Sequence, residues 1–116
     1  TLRGWWEEDP ALTARYYNQV LGQWGEVPVT APGWACEEIV RQHLQCPSLL
    51  CILAFQDWLS MDEDLRYPDA NAERINVPAN PRHYWRYRMH LTLEELMKKK
   101  AFNAKMIEMI DETGRY

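Results

Sequence analysis

At 116 residues, 47% hydrophobic and 26% charged, the chain is long enough to bury one core, and neither two domains nor overall disorder is expected. Seventeen acidic against thirteen basic residues leave a formal net charge of -4, which argues against holding a polyphosphate backbone, so nucleic acid is not an expected partner. The longest apolar run, residues 49–55, falls far short of the ~20 residues that span a bilayer, so no membrane anchor is expected either.

Neither a start methionine nor a signal-peptide pattern is visible at Thr1, and the chain reads as a piece of something longer. Asp9-Pro10 predicts a helix start, because Asp accepts hydrogen bonds from open backbone N–H groups and Pro suits the first turn. That helix is expected over 10–21, with Leu12, Tyr16 and Val20 on its apolar stripe and Gly22 ending it. Residues 25–33 carry Pro28 and Pro32 and read as an extended connection. A second helix is expected over 34–45, burying Cys36, Ile39, Val40 and Leu44 and stopped by Pro47.

The apolar run 49–55, bounded by Pro47 and by Gln56-Asp57, has the pattern of a strand buried on both faces of a parallel sheet, with a buried helix as the competing reading. Residues 60–81 are rich in Asp, Asn and Pro and predict a long loop, the kind of segment in which function concentrates. Thr92-Leu93-Glu94-Glu95 is a capping box opening a third helix to about residue 110. Its expected apolar strip is Leu93, Leu96, Met97, Ala101 and Ala104, widened by Phe102, Met106, Met109 and Ile110, with Lys98, Lys99 and Lys100 solvated.

Cys36, Cys46 and Cys51 are odd in number and spaced as neither a disulfide framework nor a zinc site, which points to a reducing, cytoplasmic setting. His43 and Cys46 lack further ligands and read as a half-exposed imidazole beside buried thiols. No metal or other cofactor is implied. The segment 82–90 interleaves Arg82, Arg86 and Arg88 with Tyr84, Trp85 and Tyr87, and Asp69, Asn71, Asn76 and Asn80 lie close by in sequence. Aromatic faces and amide side chains of this kind suit sugar rings and hydroxyls, and equally suit anchoring a loop. The acidic pairs Glu7-Glu8, Asp62-Glu63 and Glu94-Glu95 do not by themselves place two carboxyls across a cleft, as glycosidic chemistry requires. The residues therefore read as an α/β piece with one functional-looking loop. A free-standing carbohydrate-binding module and a protein-interaction domain both remain open.

Three segments carry a resemblance. Thr1-Leu2-Arg3-Gly4-Trp5-Trp6-Glu7-Glu8, Phe55-Gln56-Asp57-Trp58-Leu59-Ser60-Met61, and Arg74-Ile75-Asn76-Val77-Pro78 followed by Trp85 and Arg88 together resemble the C-terminal end of the 4-α-glucanotransferases, or amylomaltases. Ala79 and Tyr84 stand where many members have Gly and Asn, and these departures are similar to the longer, plant-cytosolic-like branch. The resemblance implies a helix-rich C-terminal fragment of a (β/α)₈ barrel, here about three helices and one buried strand, spanning 1–116, with the loop 60–90 near substrate. It implies retaining transfer of α-1,4-glucan segments, with catalytic carboxylates preceding Thr1 and no catalytic residue within the chain. Asn76, Trp85 and Arg88 are then the substrate-binding candidates, α-glucan or maltooligosaccharide is the substrate, and Gln56 and Asp57 are expected to make structural hydrogen bonds. The isolated piece is expected to be inactive and to self-associate.

Overall fold

The computed structural model describes residues 1–115. Helix α1, Leu2–Glu8, was not foreseen from the sequence; the Thr1 hydroxyl caps it by accepting from the Gly4 N–H. Asp9 then caps α2, Pro10–Gln19, its carboxylate accepting from the Ala11 and Leu12 N–H groups at 3.1 and 3.2 Å. Helix α3, Gly33–Gln45, is the centre of the molecule and buries Ala35, Cys36, Ile39, Val40 and Leu44, the face expected of it. A short α4, Phe55–Leu59, a 3₁₀ turn, Ala70–Glu73, and the pair α5, Leu93–Lys98, and α6, Lys100–Glu112, complete the order. No helix among the described residues is long and apolar enough to cross a membrane.

The expected α/β class is overturned, because the described residues contain no strand. Residues 49–54 belong to no helix, and Phe55 already begins α4. Cys51, Leu53 and Phe55 pack against the core, whereas Leu49, Leu50 and Ile52 are 94%, 75% and 90% exposed. A strand is defined by its neighbours' backbone groups, and nothing else in the described chain is extended alongside this run to supply them. The burial on both faces inferred from its apolarity is therefore replaced by burial on one.

Two helix faces also differ from expectation. On α2 the buried side chains are Thr13 and Tyr17, while Leu12 and Val20 are exposed. The cause is α1, whose Trp6 carbonyl accepts from the Thr13 hydroxyl at 2.6 Å and whose Trp6 ring meets Tyr17 edge-on at 6.4 Å. The single helix expected over 92–110 is interrupted at Lys99, where ψ reaches 66°. The Leu96 carbonyl accepts the Lys99 N–H at 3.0 Å and, across the break, the Asn103 side-chain amide at 3.0 Å, which ties α5 to α6. The capping box at Thr92 and Glu95 is present as read, but Leu93 and Met97 are exposed and only Phe102 and Met109 of α5 and α6 are buried. Among the thiols only Cys36 is buried; Cys46 is exposed, so the expectation of buried cysteines holds for one of them.

Polar contacts tie these elements. Trp6 donates its indole N–H to the Pro28 carbonyl at 2.9 Å, fixing the connection between α2 and α3. Glu37 of α3 receives Lys105 of α6 at 2.9 Å and Arg41 of its own helix at 3.3 Å, and Arg41 reaches Glu112. At the other end, Arg115 donates to the carbonyl of Leu44 in the last turn of α3 and to those of Cys46 and Ser48 just beyond it.

Candidate functional site

The segment between α4 and α5 is the longest stretch without an α-helix, as the sequence indicated, and its first half is firmly held. Met61, Leu65 and Ala70 are buried, and Asp62 accepts from the N–H groups of Asp64 and Leu65. Arg66 donates to the carbonyls of Ala31 and Ser60 at 2.7 and 3.2 Å. The Asp69 carboxylate caps the 3₁₀ turn by accepting from the Asn71 N–H.

Beneath that turn lies a buried ion pair. Arg3 Nη1 stands 2.7 Å from Glu73 Oε1, and both side chains are withdrawn from solvent. The same guanidinium donates to the carbonyls of Tyr67 at 2.5 Å and Pro68 at 3.5 Å. Gln56 donates its side-chain amide to the Glu73 carbonyl at 3.3 Å, and Asp57 accepts the Leu2 N–H at 3.0 Å. These are the structural roles expected of Gln56 and Asp57. Glu73 Oε2 is buried without a partner among the described residues, and burial lifts the Glu73 carboxyl above the usual carboxylate range against the pull of Arg3. Burial together with the nearby Glu73 and Tyr67 likewise raises the Tyr87 phenol.

Beyond Arg74 the chain turns outward. Asn76 is exposed, two residues past Arg74, whose Nη2 donates back to the Gly4 carbonyl at 3.2 Å. The Asn80 N–H closes a turn on the Val77 carbonyl at 2.9 Å, and the His83 ring meets the Ile75 carbonyl at 3.0 Å. Trp85 is 73% exposed and Arg88 is exposed with it, while Arg86 lies over the Tyr84 ring at 5.1 Å. All three candidate residues therefore stand on one loop with their side chains open to solvent. A cavity of about 310 Å³ is lined by Leu2, Trp5, Val40, His43, Leu53 and Asp57, and one of about 780 Å³ lies between the end of α3, residues 46–51 and Arg115. Neither of these involves Asn76, Trp85 or Arg88. Among the described residues no three His, Cys, Asp or Glu side chains converge to hold a metal ion.

Arg3 and Glu73 were not singled out from the sequence. Arg3 lies within one segment that carried the resemblance and Glu73 adjoins another, but seventy residues separate them and no periodicity links them.

The described residues thus form an all-helical piece with one long tethered loop that presents amide, aromatic and guanidinium groups to solvent. Residues 1–93 match the family model of 4-alpha-glucanotransferase, and the chain belongs to that family. It is 39% identical over 115 residues to the 4-alpha-glucanotransferase DPE2 of Oryza sativa subsp. japonica, covering 99% of this chain and 12% of that protein. It is 30% identical over 110 residues to a 4-alpha-glucanotransferase of Chlamydia caviae, covering 94% of this chain and 20% of that protein. The chain thus spans a small fraction of the length of these relatives. No solved structure matches it.

Proposed function

We propose that the chain forms the C-terminal portion of the catalytic barrel of a 4-α-glucanotransferase, in which the loop 60–90 faces the α-glucan. The observation that carries this reading is the family match over residues 1–93, which includes the loop with Asn76, Trp85 and Arg88 exposed on it. In the whole protein a carboxylate attacks the anomeric carbon as the glycosidic bond breaks, and an acid/base carboxyl protonates the departing glucan. The 4-hydroxyl of a second glucan, losing its proton to that same group, then displaces the carboxylate from the glycosyl-enzyme with net retention. The side chains of this piece bind rather than react. Among the described residues the one buried carboxylate, Glu73, is paired with Arg3, and the acidic clusters Glu63-Asp64 and Glu94-Glu95 are exposed.

Asn76 donates to and accepts from sugar hydroxyls in this reading, Trp85 offers a flat apolar face to a pyranose, and Arg88 supplies a charged donor. Free thiols at Cys36, Cys46 and Cys51 fit a reducing cytoplasm. A second reading, glucan binding by the piece alone, is favoured by the exposure of Tyr84 and Trp85, at 74% and 73%.

Maltotriose separates these readings. The full-length protein is expected to convert it into glucose and longer glucans, and the isolated chain is expected to leave it unchanged. Turnover by the isolated chain at an enzyme's rate would overturn the assignment, and saturable glucan binding by it would favour the second reading.

A further inference from the structure

The ion pair beneath the 3₁₀ turn is an expensive way to fill a core. Two charges are withdrawn from water, one carboxylate oxygen is left without a partner, and an apolar pair of similar volume would hold the same elements at least as firmly. What an apolar pair cannot do is set register. A guanidinium has a planar fork of donors, and Arg3 spends it on three acceptors that belong to one short stretch of chain: the carbonyls of Tyr67 and Pro68 and the carboxylate of Glu73.

The opposite side of the turn is fastened in the reverse sense. Arg74 sends Nη2 to the Gly4 carbonyl and Nε to Asn71 Oδ1. The helix gives way for it, because a Cβ on Gly4 would stand 2.9 Å from that same nitrogen. Gln56 of α4 holds the Glu73 carbonyl as a third fastening. Residues 67–74 are therefore gripped by α1 from two sides and by α4 from a third, and the chain leaves this grip two residues before Asn76.

We propose that Arg3 and Glu73 are positioning residues, a buried clasp that fixes the turn Ala70–Glu73 on α1 and so sets where residues 75–80, Asn76 among them, meet the sugar. The proposal rests on the reading of Asn76 as a substrate contact for its kinetic consequence, and on geometry alone for the fixing of the segment. Neither residue touches substrate. Their effect passes through the backbone from Glu73 to Asn76, three residues on.

The test uses the full-length protein with Glu73→Ala, which removes both carboxylate oxygens and leaves Arg3 without its partner, and Arg3→Lys, which keeps the charge and removes the fork. Hydrogen exchange is read at the amides of Ala72, Arg74 and Asn80, which donate to the carbonyls of Asp69, Asn71 and Val77. Both variants are expected to speed exchange there at least tenfold while leaving the amides of α3 unchanged. Kinetically, Glu73→Ala is expected to lower kcat/KM for maltotriose about tenfold in an otherwise native protein and hardly at all when Asn76→Ala is already present. Where Glu73→Ala fails to fold, Arg3→Lys carries the same readings.

Unaltered exchange at the three amides in both variants would overturn the clasp. Faster exchange with kinetic losses that multiply fully with Asn76→Ala would overturn its action through Asn76. Should Asn76→Ala alone have no kinetic effect, the reading of Asn76 falls, and the exchange result still decides whether the clasp holds the segment.

Discussion

The backbone at Gly33 packs so closely on Met61 that a methyl group on Gly33 would stand 2.7 Å from the Met61 carbonyl oxygen. Glycine at the first position of α3 is thus required by the turn that follows α4. Gly33→Ala should destabilise the protein by about 1–3 kcal/mol through overpacking, although alanine is the better helix former. A thermal melt checks this, and an unchanged Tm would mean that the turn at Met61 moves aside freely.

Glu37 links α3 to α6. Burial works to raise its carboxyl, but the bonds from Lys105 and Arg41 outweigh it and hold the pKa below the usual value. A depressed folded-state pKa contributes stability that is present above the unfolded value and is lost as pH falls through the folded one. Because the group is partly exposed, the contribution should be below about 1 kcal/mol and should shrink with added salt. Denaturant midpoints measured downward from pH 7 should therefore fall less for Glu37→Gln than for the native chain. Equal slopes would remove this pair from the acid response.

Glu73 should respond with the opposite sign. Burial raises its carboxyl above the unfolded value despite Arg3, so the folded state binds the proton more tightly. Its contribution to stability is then complete below the unfolded pKa and is lost as pH rises through the folded one. Relative to Glu73→Gln, the native protein should gain stability on acidification across that window. The difference between their unfolding free energies at a series of pH values reads this directly, and a difference that moves the other way would place the charged form as the favoured one.

Much of this was legible in the sequence, and the failures have physical reasons. Capping is local chemistry, so Asp9-Pro10 and the box at Thr92 and Glu95 announced their helices correctly. The spacing of Cys36, Ile39, Val40 and Leu44 identified the buried face of α3 because residues three and four apart share one stripe of a helix. On α2, Trp6 of a helix too short to show a period drew Thr13 and Tyr17 inward in place of Leu12. The run at 49–55 was apolar enough for a two-sided strand, but apolarity does not report whether neighbouring strands are present. The loop and its candidates Asn76, Trp85 and Arg88 came from residue types and resemblance. The Arg3–Glu73 pair beneath them depends on tertiary proximity, which one-dimensional spacing does not carry.

The side chains of Leu49, Leu50 and Ile52 lead to a further expectation for the isolated chain. At about 25 cal/mol per Å² of apolar surface, covering all three is worth several kcal/mol, enough to drive pairing between copies. Sedimentation over a concentration series should show mass rising with concentration, and Ile52→Lys should suppress it. A monomer at every concentration would show that the exposed run does not associate.

If this piece supplies a glucan-binding loop to a transferase, the kinetics of the full-length protein with Asn76→Ala will show it. Loss of a polar group that meets sugar hydroxyls in the transition state should lower kcat/KM for maltotriose about tenfold or more, equivalent to about 1.4 kcal/mol, with Tm unchanged. Unchanged kcat/KM beside an unchanged Tm would mean that Asn76 does not meet the glucan.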